Sequence, residues 1–350
     1  MPSLFAVVGV FAVSLPVLAV VVLWVAAQFS PEAANVLYKF HLIRLFVANL
    51  ALSTDKKWKK RVDPERVVNK TRSKQVVFIR HGESAWNVVF NKGFGPTFPG
   101  RLGNALQREA QLFPTMDSVF VDSPMSALGA NQAVELQQYV ENLSENDPMY
   151  EVLKQGKDTV VASSNLRRAL STATIGLWQR LKRTQEKIHI LSALQEITFN
   201  IDGVALAKPF TAPLPSDDEL KPLVGTNRQD FVAERYYDCT QNRGDKPVRG
   251  QGITRLNEFA AWCFTRPEST IIAAGHSLYF RFFFQTFLPY SSVHDTKKSK
   301  MANCSVATFT LWEGVDPENK PWYFIDEQSI KFVHGDLESA HAHGAIKKKE

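Results

Sequence analysis

Cysteine is scarce in this chain of 350 residues, which contains only Cys239, Cys263 and Cys304. Their spacing is not one that binds zinc, and an odd number excludes a framework made only of paired disulfides. The sequence therefore predicts free thiols in a reducing compartment and no structural metal.

Charge is missing altogether from the first 30 residues, and Leu4–Ala27 is almost wholly apolar. As a helix this run would extend about 36 Å, which is enough to cross the apolar core of a bilayer with some tilt. Pro16 is tolerated in a membrane helix. We expect residues 1–30 to be a transmembrane anchor. The alternatives are a signal peptide cleaved after Val25-Ala26-Ala27 and an organelle-targeting sequence.

Acidic residues are rare in the segment that follows. Lys39–Lys74 contains eleven Lys or Arg against three Asp or Glu, whereas the net charge of the whole chain is only +6. A basic run beside an apolar run favours anionic lipid headgroups over nucleic acid as the partner. Because positive residues stay on the cytosolic side, we expect a single-pass membrane protein whose main domain lies in the cytosol.

Residues 34–52 are predicted to form a helix because apolar residues recur at three- and four-residue spacing. The residues on that face are Leu37, Phe40, Ile43 and Val47. Two interpretations stay open. The helix packs on the main domain, or it lies along the membrane surface ahead of the basic run.

Internal repeats are absent, and the body of the chain alternates between β-branched runs and helical stretches. The predicted strands are 75–79, 159–162, 187–191, 270–274 and 305–311. The predicted helices are 126–141, 165–183, 252–264 and 277–287. This alternation predicts an α/β fold, a three-layer α/β/α sandwich with a mostly parallel sheet.

The domain organisation follows from these boundaries. The predicted sandwich spans residues 75–333, and the amphipathic and basic juxtamembrane segment 31–74 joins it to the transmembrane helix. Residues 91–117 and 202–250 lack clear periodicity, and we expect both to be insertions over the edge of the sheet where ligands bind.

Residues 334–350 are predicted to be a disordered polar tail, although their histidines allow a metal site as a weaker alternative. The chain ends in Lys347-Lys348-Lys349-Glu350. This ending resembles the dilysine retrieval signal of endoplasmic reticulum membrane proteins, and the alternative is a solvated charged tail.

Polar residues stand at the carboxyl ends of three predicted strands, where parallel sheets bind ligands. They are the Arg80–His81 pair, the Ser164–Arg168 turn and His276. Arginine can hold two phosphate oxygens, and histidine can attack phosphorus and carry the phosphoryl group. These strand ends therefore indicate phosphate chemistry.

Four blocks in order resemble the histidine phosphatase superfamily, the phosphoglycerate mutase-like group. They are Arg80–Asn87, Asp122–Ala133, Ser164–Ala173, and Gly275–Ser277 followed by Arg281. The resemblance covers about residues 75–312 and places the chain in the branch that carries its acid on a glutamate. The longer spacing between the first two blocks leaves the substrate open.

The resemblance implies a role for each matching residue. His81 would be the nucleophile that forms a phosphohistidine. Arg80, Arg168 and His276 would bind the phosphoryl oxygens, and Asn87 would add a contact. Neither a metal nor another cofactor is implied. Arg167, beside the matching arginine, is expected to form an ion pair at the surface.

The general acid is expected to be Glu196, which follows the third predicted strand where one branch of the family carries its glutamate. The other branch uses an aspartate after the second histidine, and Ser277 at that position disfavours it. Glu83 is expected to orient its neighbours, and Glu109 is a weaker alternative acid.

The function expected from the resemblance is phosphomonoester hydrolysis at a membrane. The mutases carry a Glu-Arg-His-Tyr-Gly run at the acid, where this chain has Glu196–Asn200, which weakens the alternative of a phosphoglycerate-type mutase. A catalytically silent binding module is the second alternative. A small molecule, a lipid or a protein could supply the phosphate.

Overall fold

The computed structural model describes residues 18–59, 62–221, 223 and 231–338. In these ranges seven strands form one sheet. They are β1 (Val68–Arg80), β2 (Thr159–Ser164), β3 (Ile188–Leu191), β4 (Tyr237–Asp238), β5 (Thr270–Gly275), β6 (Val306–Val315) and β7 (Pro321–His334). Their order is β4-β3-β2-β5-β1-β6-β7, with β1 to β5 parallel and the last two antiparallel. The predicted mostly parallel sheet is confirmed.

The α-helices within the same ranges are α1 (Pro31–Leu52), α2 (Phe98–Leu112), α3 (Ala127–Asn142), α4 (Arg167–Gly176), α5 (Trp178–Thr184), α6 (Asp217–Leu220), α7 (Ala233–Tyr236), α8 (Gly252–Thr265) and α9 (Ser277–Phe287). Residues 18–26 are helical too. Short 3-10 helices are Pro64–Arg66, Ser192–Leu194, Ile201–Gly203 and Asp295–Lys297, and π-helical turns are Asn87–Asn91 and Tyr150–Gln155.

Helices cover both faces of the sheet because the side chains of its central strands alternate between two apolar cores. Val76 and Phe78 of β1 pack with α8 and α9, and Phe78 stacks on Phe280 with ring centroids 4.0 Å apart. Val77 and Ile79 face the opposite core, which α3, α4 and α5 complete. The expected three layers are therefore present.

Regular structure also occurs where the sequence predicted none. Residues 91–117, which showed no clear periodicity, contain α2. Gly100 and Gly103 are poor helix formers, and they hid the helical pattern. Residues 202–250 contribute α6, α7 and β4, and β7 was not predicted.

Helix α1 packs on the main domain through one face. Leu42 is buried there with Val121, Val204 and Leu206, which agrees with the first interpretation of this helix. The predicted apolar face is not the one that is buried, because Phe40 lies half exposed on the opposite side.

No helix in the described part of the chain is both long enough and apolar enough to cross a membrane. Most of the predicted anchor 1–30 lies outside those residues, as does 339–350 with the dilysine-like ending. The helical residues 18–26 carry exposed apolar side chains, among them Leu18 and Trp24.

Candidate active site

The site lies where three adjacent strands end. Strand β5 is between β1 and β2, so the residues that follow these strands meet at one edge of the sheet. The peptide nitrogen of His81 donates to the Gly275 carbonyl at 3.0 Å, which joins the ends of β1 and β5. His276 follows directly, and the two histidine rings lie 5.1 Å apart between centroids.

The geometry of the His81 ring leaves one nitrogen unprotonated, with a lone pair that can act as a nucleophile. Nδ1 is 2.7 Å from the Gly82 carbonyl oxygen, which can only accept, so Nδ1 carries the proton. Nε2 keeps its lone pair and accepts from Nε of Arg168 at 3.3 Å. Burial, followed by the charges of Arg168 and Arg80, holds the pKa of His81 well below its ordinary value. The imidazole is therefore neutral near pH 7.

Arg168 stands in the first turn of α4 and is 2 % exposed. Its Nη1 donates to the Asp202 carbonyl at 2.7 Å, and Nη2 lies 3.4 Å from the Asp202 carboxylate. Thr172, one turn along, accepts from the peptide nitrogen of Gly82 at 3.0 Å and donates to the Arg168 carbonyl. The Asp202 contacts hold the guanidinium beside the nucleophile, and the Thr172 bonds tie α4 to the backbone after His81.

His276 is the N-cap residue of α9 and is fully buried. Its Nε2 lies 2.9 Å from the Ser164 hydroxyl, and Nδ1 is buried with no hydrogen-bond partner among the described residues. When the hydroxyl donates to Nε2, Nδ1 carries the proton and can donate to a phosphoryl oxygen. Burial, and then the Arg168 charge, holds the pKa of His276 well below its ordinary value.

Arg80 is 4 % exposed at the end of β1. Its Nη1 donates to the Met301 carbonyl and to the carboxylate of Glu338, while Nε is buried without a partner in the described part of the chain. The sequence did not point to Glu338, which follows β7 and reaches Arg80 across 258 residues.

Glu196 lies against the N-terminus of α9. Its Oε1 accepts from the peptide nitrogens of Tyr279 and Ile197, each at 2.9 Å. Burial raises the pKa of Glu196, whereas the charges of Arg168 and Lys246 act in the opposite direction. A carboxyl group with a raised pKa is suited to donate a proton near neutral pH.

Two glycines bring the first two sequence blocks into direct backbone contact. A Cβ atom on Gly129 would lie 2.0 Å from the Glu83 carbonyl oxygen, and one on Gly82 would lie 2.5 Å from the Gly129 carbonyl oxygen. The Glu83 carboxylate accepts from the Ser126 hydroxyl at 2.8 Å and pairs with Lys92 at 3.3 Å. These contacts agree with an orienting role for Glu83.

The remaining residues predicted from the sequence, Asn87, Glu109 and Arg167, are bonded to other protein groups. The Asn87 side-chain oxygen accepts from the Ser84 peptide nitrogen at 3.1 Å and from its hydroxyl, so its phosphate contact stays a prediction. Glu109 bonds the Ser118 hydroxyl and nearby peptide nitrogens. Arg167 does pair with Asp117, but it is 1 % exposed, so its predicted position at the surface is wrong.

Within the described residues, no group of three or more His, Cys, Asp or Glu side chains is arranged to hold a metal ion. The structure brings together His81, Arg168, His276 and Glu196, with Arg80 next to them. The sequence missed Asp202, because it lies in a stretch without a periodic pattern.

No protein-family model and no curated protein matches the chain. Solved structures similar to it include a mycobacterial hydrolase (16% identity, covering 77% of this chain and 98% of that one, TM-score 0.35). A mycobacterial glucosyl-3-phosphoglycerate phosphatase has 15% identity over 72% of this chain and 97% of its own, with a TM-score of 0.34. An alpha-ribazole phosphatase from Shigella flexneri has 13% identity over 75% and 96%, with a TM-score of 0.35. Because these identities and TM-scores are low, the site itself must carry any functional proposal.

Proposed function

We propose that this chain is a phosphatase of the histidine phosphatase superfamily that hydrolyses phosphomonoesters through a phosphohistidine at His81. One observation carries the proposal. Nε2 of a buried neutral His81 keeps its lone pair 3.3 Å from Nε of Arg168, so a nucleophile lies in direct contact with a cation that can bind phosphate.

In the first step, Nε2 of His81 attacks phosphorus and the bond to the leaving oxygen breaks. Glu196 gives its proton to that oxygen, so the alcohol leaves neutral. Arg168 and His276 donate to the phosphoryl oxygens, where negative charge is concentrated in the transition state.

In the second step, a water molecule attacks phosphorus and the bond to Nε2 breaks. Glu196, now a carboxylate, takes the proton from that water. The cycle returns both groups to their starting states and releases inorganic phosphate. Because His81 and His276 are neutral beforehand, the positive charge for a dianionic phosphate comes from Arg168 and Arg80, which the phosphate would bind in competition with Asp202 and Glu338.

The test is turnover of p-nitrophenyl phosphate by the full chain and by His81→Ala, with His41→Ala as a matched histidine control on the exposed side of α1. We expect His81→Ala to lose activity and His41→Ala to keep it. Brief mixing with labelled substrate should leave acid-labile, base-stable phosphate on the wild-type chain only. Absence of both turnover and phosphoenzyme would refute the enzyme and leave the silent binding module.

A mutase would use the same nucleophile but return the phosphoryl group to a product. Incubation with phosphoglycerates separates the two reactions. Release of free phosphate at the rate of substrate loss supports hydrolysis, whereas isomerisation with little free phosphate supports the mutase. A panel of sugar, lipid and protein phosphates would then identify the substrate class.

We also propose that residues 1–30 attach the chain to a membrane, with the main domain in the cytosol. The apolar, uncharged run and the basic segment after it support this arrangement. Protease added to intact microsomes should then digest the main domain while leaving lumenal markers intact. Protection of the domain would place it on the other side, and full release by salt or carbonate would exclude a spanning anchor.

A further inference from the structure

A buried carboxylate outside the proposed catalytic set lies between two buried cations. Asp55, just after α1, is 1 % exposed. Its Oδ2 lies 2.5 Å from Nζ of Lys246, and its Oδ1 lies 2.7 Å from Nη1 of Arg255. Both cations are buried as well, so Asp55 supplies the charge that compensates them.

The same two cations hold the backbone around Glu196, residues 194–198, which we name the acid loop. Lys246 Nζ donates to the Glu196 carbonyl at 2.7 Å and to the Thr198 carbonyl. Arg255 Nη2 donates to the carbonyls of Gln195 at 3.3 Å and Glu196 at 3.5 Å. The carbonyls of the acid loop therefore depend on cations that Asp55 keeps in place.

Residues 53–58, which we name the strap, are fixed against the segment that opens α8. The Thr54 hydroxyl donates to the Arg249 carbonyl at 2.8 Å, and the Gly252 peptide nitrogen donates to the Asp55 carbonyl at 2.9 Å. A Cβ atom on Gly252 would lie 2.7 Å from that carbonyl oxygen, so the two backbones are in contact. Trp58 packs edge-on against Phe282 of α9, 5.2 Å between centroids.

We propose that Asp55 is a positioning residue that holds the Glu196 carboxyl where it can protonate the leaving oxygen. The inference rests on the proposed role of Glu196. Without the Asp55 carboxylate, Lys246 and Arg255 would be two unpaired buried cations that repel each other, and the acid loop would lose its fixed anchors. His81 and Arg168 have separate supports, so phosphate binding and nucleophilic attack would remain.

The experiment measures kcat/KM of the wild type and of Asp55→Asn on two substrates that differ in their leaving group. An alkyl phosphate needs a proton on its leaving oxygen, whereas 2,4-dinitrophenyl phosphate releases a stable phenolate without one. We expect kcat/KM for the alkyl phosphate to fall about 10- to 100-fold, because misplacement of a catalytic group by about 1 Å has effects of that order. For the dinitrophenyl ester we expect a change of less than about threefold.

A double-mutant cycle with Glu196→Gln links the effect to the acid. Glu196→Gln alone should show the same dependence on the leaving group, and adding Asp55→Asn to it should change nothing further. If Glu196→Gln affects both substrates equally, the proposed role of Glu196 fails. If Glu196→Gln discriminates between the substrates and Asp55→Asn does not, only the inference about Asp55 is overturned.

Asp63→Asn is the matched control, since Asp63 caps the 3-10 helix Pro64–Arg66 and does not touch the acid loop. Asp63→Asn should leave kcat/KM unchanged for both substrates. Should Asp55→Asn fail to fold, Thr54→Val loosens the strap without leaving a buried charge unpaired. We then expect a smaller loss, about two- to fivefold, for the alkyl phosphate only. Equal losses for both substrates, or no loss for either, would overturn the proposal.

Discussion

Two adjacent arginines give the sharpest test of the site, because Arg168 contacts the proposed nucleophile whereas Arg167 makes only structural contacts. Arg168 reaches Nε2 of His81, while Arg167 points the other way. Nε of Arg167 donates to the Asp122 carbonyl at 2.6 Å, and its Nη atoms bond Asp117 and the Ser118 carbonyl. The same Arg→Lys change at each position should therefore damage different properties.

The magnitude follows from the contact between Arg168 and the nucleophile. Loss of a unit charge about 4 Å from the transferring phosphoryl group would cost about 4 kcal/mol at an effective dielectric constant of about 20, or about 10³-fold in rate, which is the upper limit for any substitution of Arg168. Arg168→Lys keeps the charge but loses the planar guanidinium, which bonds His81 and Asp202 at the same time. We expect kcat/KM to fall about 10²-fold, the lower end for loss of one transition-state donor.

Arg167→Lys should lower the free energy of unfolding by about 2–3 kcal/mol, since it leaves buried carbonyl groups unpaired. Its kcat/KM should stay within about threefold of the wild type, because Arg167 does not contact His81. Steady-state kinetics and urea unfolding on both variants make the comparison. The reasoning is refuted if Arg167→Lys loses as much activity as Arg168→Lys at unchanged stability.

The burial that lowers the pKa of His276 below its ordinary 6.5 makes the unfolded chain take up the proton first as the pH falls. The stability from neutral His276 is thus fully present above about pH 6.5, and below that pH it is lost by about 1.4 kcal/mol per pH unit. In a plot of unfolding free energy against pH, His276→Asn should therefore reduce the slope below about pH 6.5 by that amount. Glu338→Gln should free Arg80 for phosphate and lower the inhibition constant of inorganic phosphate about 3- to 10-fold. Gly129→Ala should lower kcat/KM and destabilise the fold by about 1–3 kcal/mol, because its Cβ collides with backbone.

Control variants are available for Glu338→Gln and Gly129→Ala. Glu318→Gln, at the exposed β6–β7 turn, should leave phosphate inhibition unchanged, and an equal effect there would contradict the special role of Glu338. Gly103→Ala in α2 meets no atom within 4 Å and should be neutral or stabilise by up to about 1 kcal/mol. A slope unchanged in His276→Asn would mean that His276 is charged in the folded chain.

The sequence predicted what depends on local pattern. The strands that end at Arg80, Ser164 and Gly275 are short apolar runs, and the blocks that follow them are contiguous. Their convergence at one edge then follows from the parallel sheet. Glu196 was predicted from the resemblance, because it follows β3 where one branch of the family carries its glutamate.

The contacts that the sequence could not predict join distant segments. Glu338 reaches Arg80 from beyond β7, and Asp202 reaches Arg168 from a stretch without periodicity. Asp55 meets Lys246 across 191 residues. Each of these pairs depends on how insertions and chain ends pack on the sheet. The spacing of apolar residues predicts helices and strands but not that packing.

The strap has a practical consequence for anyone who trims the chain. A fragment that begins at Gln75, where the sequence pattern of the sheet starts, would retain the nucleophile and both arginines but lack Asp55. Two unpaired cations would then remain beneath the acid loop. We expect such a fragment to cleave activated aryl esters while losing activity on alkyl phosphates, and a screen with chromogenic compounds alone would score it as intact. A cut made before α1 keeps the whole machinery.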